Sequence, residues 1–163
     1  MKNDITLRNA IKEDTRQITQ IIVEDWKKAY RGIIEDDYLD SLDVDKRYEI
    51  EVKRYDKYIV ACDDNEVVGC AWLEEMDGED ADCEIIALYV RYSQRNNGIG
   101  KLLLNEAKTR FIKNGRKRMI IWCLKENHES RRFYEKNGGK QYRTNTHNWG
   151  GKDYEMISYL YDI

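Results

Sequence analysis

The sequence predicts a mixed α/β (α+β) domain: a central sheet of about seven strands, mostly antiparallel, with about four helices on its faces. Three observations lead there. Short alternating or wholly apolar runs recur from Ile5 to Tyr161, as strands require. Between them, apolar residues repeat every three to four positions, as helices require. The two kinds of segment alternate in the order β-α-α-β-β-β-α-β-α-β-β, which calls for helices packed on a mixed sheet. A chain of 163 residues suits one domain spanning 1–163 with a sizeable core.

The elements follow in order. "ITLRNA" alternates and opens the sheet. Asp14 or Thr15 can cap a helix whose apolar face is Ile18, Ile21, Ile22, Trp26 and Ala29, and Gly32 ends it. "DDYLDSLDVDKRYEIEVKRY" is helical with a break near Asp43. "YIVACDD" and "EVVGCAWLEE" flank Asp63-Asp64-Asn65, a hairpin signature. "MDGEDA" is a second turn, and "DCEIIALYV" is the third antiparallel strand. Ile99, Leu102, Leu103, Ala107 and Phe111 then recur at helical spacing up to Asn114-Gly115. "RMIIWCL" is a buried strand. "NHESRRFYEKNGG" is a short helix closed by glycines, and "KQYRTNT" and "DYEMISYLY" form a final strand pair.

Composition excludes several classes. A net charge of −3 gives no support to a nucleic-acid partner. No apolar run approaches the roughly 20 residues of a membrane helix. "MKNDITLRNA" lacks the apolar core of a signal peptide, so the cytoplasm is the expected location. Cys62, Cys70, Cys83 and Cys123 form no C-x-x-C pair, and His128 and His147 lie far apart, so no metal site is expected. The cysteines read as small buried hydrophobes in a reducing compartment.

The chemistry concentrates in "YVRYSQRNNGIGKLLL". A strand ends there, a loop gathers Arg95, Asn96, Asn97, Gly98 and Gly100, and a helix begins. A helix start offers unpaired N–H groups and a partial positive charge. Gly98 and Gly100 leave those groups open, and Arg95 and Lys101 add formal charge, so the junction suits a phosphate. The P-loop pattern fails, because it needs glycine at Arg95 and Ser or Thr at Leu102. The dinucleotide fingerprint fails at Leu103, where a third glycine is needed. What remains is R-x-x-G-x-G, "RNNGIG"; the glycines could also merely shape the turn.

That pattern, between a strand and a helix, resembles the acetyl-CoA loop of the GNAT superfamily of N-acetyltransferases. "NHESRRFYEKNGG" resembles the family's second signature, and "WKKAYRGIIEDDYLDSL" and "GGKDYEMISYLY" its first helices and last strand. Gly139 departs from the pattern, since many members carry an aromatic after the first glycine. The resemblance implies a GNAT-like sheet with a splayed parallel pair, "EIIALYV" and "RMIIWCL". It implies acetyl-CoA as cosubstrate, without a metal. Leu88, Tyr89 and Val90 would pair with the pantetheine amides, Asn96 to Lys101 (through Ile99) would hold the diphosphate, Asn127 would hydrogen-bond the pantetheine arm, and Ser130 and Arg131 are further candidate contacts. Either the Val90 or the Leu88 N–H would stabilise the oxyanion.

Acyl transfer to an amine needs a base and a group that serves the departing thiolate. Tyr134 is the candidate acid, seven residues after Asn127 and on the same helix face. Glu84, fourteen residues before Gly98, is the candidate base, with a solvated strand face or a cross-strand ion pair as the alternative. A bulge near Leu88 would change which face Glu84 occupies. Trp26, Tyr30 and Arg31 fall where the family builds its acceptor pocket, with core packing plus a surface charge as the alternative. "DGEDAD" could attract a cationic amine, or be a solvated hairpin tip, and His147 and Trp149, in the last turn, could border the pocket or lie in a surface loop. The expected partner is a small-molecule or peptide amine, with monomer and homodimer both open. A CoA-binding module without catalysis, and transfer of a longer acyl group or to a protein N-terminus, are the competing readings.

Overall fold

The computed structural model describes residues 4–163. Seven strands form one sheet, β1 (Ile5–Asn9), β2 (Tyr58–Asp63), β3 (Glu66–Glu75), β4 (Cys83–Val90), β5 (Arg118–Leu124), β6 (Lys140–Trp149) and β7 (Lys152–Asp162), in the order β1-β2-β3-β4-β5-β7-β6. The helices are α1 (Thr15–Ala29), α2 (Asp36–Ser41), α3 (Val44–Glu51), α4 (Ile99–Lys113) and α5 (His128–Lys136). All strand pairs are antiparallel except β4 with β5.

The predicted break near Asp43 divides α2 from α3, because the Asp43 carboxylate accepts from the Lys46 N–H at 2.9 Å and starts a new helix. The expected cap of α1 works differently. Asp14 precedes Thr15, but its carboxylate accepts from the Ile11 N–H at 2.8 Å and pairs with Arg8 at 2.7 Å, so it fastens the turn before the helix. Asp64 takes the positive φ of 52° that a two-residue hairpin demands.

Two apolar layers sandwich the sheet. α4 packs Leu103, Leu104, Ala107 and Phe111 against Ile59, Ala61, Ala71, Ile85 and Ile121. α1 packs Ile18, Ile21 and Ile22 against Tyr58, Val60, Val67 and Cys70 on the other face. Leu102 was expected in the α4 stripe but is 41% exposed; Leu104 takes the core position. The four cysteines are free and buried, and burial raises every thiol pKa. β6 runs on to Trp149, three residues past the predicted end, because Thr146 to Trp149 pair with Lys152 to Glu155. Among the described residues, no helix is long and apolar enough to cross a membrane.

The sheet is interrupted where the function was expected. β4 and β5 pair only over Cys83–Ile85 and Met119–Ile121. Opposite Trp72 and Leu73, β4 jumps from Ile85 to Ala87, so Ile86 is bulged. A bulge bends and twists its strand, and beyond it β4 stays with β3 while β5 stays with β7.

Candidate active site

The diverging strands leave a cleft of about 680 Å³, within the range of small-ligand sites. Ile86 to Val90 line it from β4 and Ile121 to Leu124 from β5. Among the described residues, no strand pairs with the β4 edge on its cleft side there, so its backbone groups are free to pair with an extended amide chain.

The loop after β4 closes one end. Asn96 (φ 65°) and Gly98 (φ 81°) are both left-handed, and Gly98 is the residue before α4. Such conformations turn successive N–H groups toward one side. The first bond of the helix runs from the Leu102 N–H to the Gly98 carbonyl, 3.1 Å. The amides of residues 96–101 therefore have no acceptor among the described residues. The glycines serve for reasons beyond openness. A Cβ on Gly98 would touch nothing, so its requirement is the left-handed backbone. A Cβ on Gly100 would lie 3.3 Å from the Phe133 ring, so Gly100 admits α5 to the helix start.

Arg95 is not a free cation. Its guanidinium is ion-paired with Asp25 of α1, 3.7 Å from Glu129, and stacked on Tyr92 at 5.0 Å. Asp25 is 5% exposed. Burial raises its pKa to about 6 against the opposing pull of Arg95. Lys101 lines the cleft and has no carboxylate partner among the described residues. The Asn97 side chain is exposed and donates to the Gln94 carbonyl at 3.3 Å. Asp25 was missed by sequence reasoning, although a signal existed: it falls on the apolar stripe of Ile18, Ile21 and Ile22.

α5 forms the wall beside β5. The Asn127 Oδ1 accepts from the Ser130 N–H at 3.2 Å and caps the helix, which leaves the Asn127 amide NH₂ to donate. Ser130, Phe133 and Tyr134 also line the cleft. Tyr134 is 6% exposed, with its ring against Phe133 (5.4 Å) and Tyr159 (5.8 Å). Its hydroxyl has no hydrogen-bond partner among the described residues and is not fully enclosed. Burial, then the nearby Cys123 and Tyr161, drive its pKa well above 10, so the phenol stays protonated. The unusual Gly139 does not loosen this wall. A Cβ there would lie 2.8 Å from the Tyr161 ring, and the Tyr161 hydroxyl donates to the Tyr134 carbonyl at 2.9 Å; Tyr161 fills the space.

Glu84 lies two residues before the bulge, opposite Glu74 on β3. It is half-buried and has no hydrogen bond or ion pair among the described residues. Burial, then the Glu74 charge, raise its pKa above the ordinary carboxylate value. It is not among the cleft-lining residues. The bulge falls at Ile86, two positions before the expected Leu88.

Another part of the cleft wall is aromatic. The Trp26 indole N–H donates to the Tyr89 hydroxyl at 2.9 Å, and its ring meets Tyr30 (4.8 Å) and Trp149 (5.3 Å) edge-on. Of the two readings of Trp149, pocket border and surface loop, the first holds: it lines the cleft because the β6–β7 turn folds onto α2. Gly150 leaves room for Tyr38, and Lys152 pairs with Glu35 at 2.7 Å. His147 stacks on Trp149 at 4.3 Å from the exposed side. Arg31 is withdrawn from the pocket: it is exposed, held by Asp36 (3.2 Å) and Asp40 (2.6 Å), and does not line the cleft. The acidic "DGEDAD" run is also elsewhere, at the far ends of β4 and β5. There Asp80 pairs with Arg143 at 2.5 Å, Asp77 with Arg116 at 3.7 Å, and Asp82 accepts from the Lys117 and Arg118 amides.

Comparison with known proteins gives a consistent picture. Residues 16–139 match the model of the Acetyltransferase (GNAT) family. An uncharacterised N-acetyltransferase of Bacillus subtilis, YuaI, is 30% identical over 130 residues, 76% of this chain and 73% of its own length. A spermidine N(1)-acetyltransferase of Thermoplasma acidophilum is 26% identical over 83% of this chain and 88% of its own length. Among solved structures, the PaiA N-acetyltransferase of T. acidophilum in complex with coenzyme A superposes with a TM-score of 0.74 at 25% identity, covering 94% of this chain and 98% of that one.

Proposed function

The chain belongs to the Acetyltransferase (GNAT) family and is an acyltransferase, and from that premise we propose that it moves the acetyl group of acetyl-CoA to a primary amine by direct attack. One observation carries the reading. Among the described residues, the amides at a glycine-opened helix start are unpaired, and the loop that carries them lines the same cleft as Tyr134, whose hydroxyl is also unpartnered. The cosubstrate fits the residues present: amides 96–101 and Lys101 suit a diphosphate, and the free β4 edge and the Asn127 amide suit the pantetheine groups. PaiA, similar along nearly its whole length, was crystallised with coenzyme A.

Acetyl-CoA bound there would supply the thioester. The chain's own groups would then do three things. Glu84, through water, takes the proton the amine must lose as the new C–N bond forms; a lysine-like amine has a pKa of about 10.4. The Val90 or Leu88 N–H donates to the carbonyl oxygen as it gains charge. Tyr134 donates to the sulfur as the C–S bond breaks. Its raised pKa keeps the hydrogen in place, and complete transfer to a thiolate of ordinary pKa, about 8.5, would be uphill. Tyr134 therefore acts chiefly through the hydrogen bond.

The direct test is release of free thiol from acetyl-CoA in the presence of an amine panel, with the acetylated product identified by mass spectrometry. Calorimetric binding of acetyl-CoA with no transfer to any amine or peptide would instead indicate a CoA-binding module. Glu84 has its own signature. A base works only when deprotonated, so kcat should fall as pH drops through its raised pKa, placing the acid limb above the ordinary glutamate value of about 4.3. Glu84→Gln should lower kcat on the order of 100-fold and abolish that limb. A variant that keeps both rate and limb would remove Glu84 from the mechanism.

A further inference from the structure

Resting on the acetyl-transfer reading, we infer that the acceptor is a small monoamine whose amino group is carried on an apolar, preferably aromatic, body, and that polyamines are poor acceptors. The acceptor end of the cleft is built from Trp26, Tyr30, Ile86, Leu124, Trp149 and Met156. Its polar handles are few. The Trp26 N–H is committed to Tyr89. The Tyr30 hydroxyl has no partner among the described residues and can receive an ammonium hydrogen.

Carboxylates decide between acceptor classes. Among the lining residues they are Asp25 and Glu129, and both face Arg95. In the acidic run that precedes β4, Asp77, Asp80 and Asp82 are engaged, and none of residues 77–82 lines the cleft. A polyamine would have to bring its second and third ammonium groups among indole, phenol and thioether without a counter-ion, and an unpaired charge out of water is strongly disfavoured. A monoamine exposes one charge, loses it on reaction, and buries its apolar body against these rings. The cleft is also bounded at this end. The β6–β7 turn is fastened to the α1–α2 region by Lys152–Glu35, and the Tyr154 hydroxyl accepts from the Glu35 N–H at 3.1 Å. A bounded pocket suits a small molecule over a protein surface.

The test compares kcat/KM for 2-phenylethylamine, tryptamine, spermidine and a lysine-containing peptide, with acetyl-CoA binding measured separately by calorimetry. The arylalkyl monoamines should exceed spermidine and the peptide by at least about tenfold. Trp149→Ala should raise their KM by about tenfold, more than it lowers kcat, with acetyl-CoA affinity unchanged. Met156→Glu installs a carboxylate in the apolar wall and should shift the ratio toward spermidine by at least about tenfold. A wild-type preference for spermidine or the peptide would overturn the acceptor class and leave acetyl transfer standing. Acetyl-CoA binding without acetylation of any of the four would also overturn it. Failure to bind acetyl-CoA would overturn the proposed function itself.

Discussion

Tyr134→Phe is expected to lower kcat on the order of 100-fold while acetyl-CoA affinity and folding stability stay near wild type. The separation follows from what the hydroxyl touches. The ring packs against Phe133 and Tyr159, and phenylalanine retains those contacts. The bond that ties α5 to β7 runs from the Tyr161 hydroxyl to the Tyr134 backbone carbonyl, which the substitution leaves intact. The hydroxyl has no protein partner among the described residues, so its removal breaks no internal bond. What is lost is the donor available to a departing thiolate, an interaction stronger at the transition state than in the bound ground state, which is why kcat falls and affinity does not. The pH profile gives a second reading. The Tyr134 pKa is pushed well above 10 by burial, so the wild-type kcat should show no alkaline limb from this group below pH 10. Steady-state thiol release, calorimetry and thermal unfolding check all three. Unchanged turnover would take Tyr134 out of the chemistry.

The parts of this site that depend on local rules were legible in the sequence. The helix start at Ile99 follows from apolar spacing after a glycine, the α2–α3 break from one aspartate, and the position of Tyr134 from helical periodicity. The parts that depend on distant partners were not. Arg95 reads as a phosphate cation until Asp25, seventy residues earlier, is found against it. Trp149 reads as a turn residue until Gly150 is seen to seat the hairpin on Tyr38. Arg31 sits one residue after a pocket tyrosine, yet α1 has ended at Ala29 and the guanidinium turns to Asp36 and Asp40. The acidic run is the hairpin tip that was one of its two readings: it precedes β4, whereas the glycine loop follows β4, so the two lie at opposite ends of that strand.

Gly98→Glu should weaken acetyl-CoA binding on the order of 100-fold in a protein that remains folded. Two effects act in the same direction. The left-handed conformation at φ 81° costs an L-residue roughly 1–2 kcal/mol, so the backbone is pushed away from the geometry that gathers the amides. The carboxylate then places a negative charge at a helix start whose unpaired N–H groups and dipole favour an anion, so it competes with the diphosphate for those donors. Folding should survive, because a Cβ at this position meets no atom within 4 Å and the substitution therefore overpacks nothing. Gly98→Ala separates the two effects: it keeps the backbone cost without the charge and should weaken binding by about tenfold. Lys101→Ala provides an independent check, since it removes the cleft cation that Arg95, held by Asp25, does not supply. Calorimetric titration of acetyl-CoA and of coenzyme A into the three variants reads the outcome. Intact affinity in Gly98→Glu would mean that the diphosphate lies elsewhere, and the assignment of residues 96–101 would fail with it.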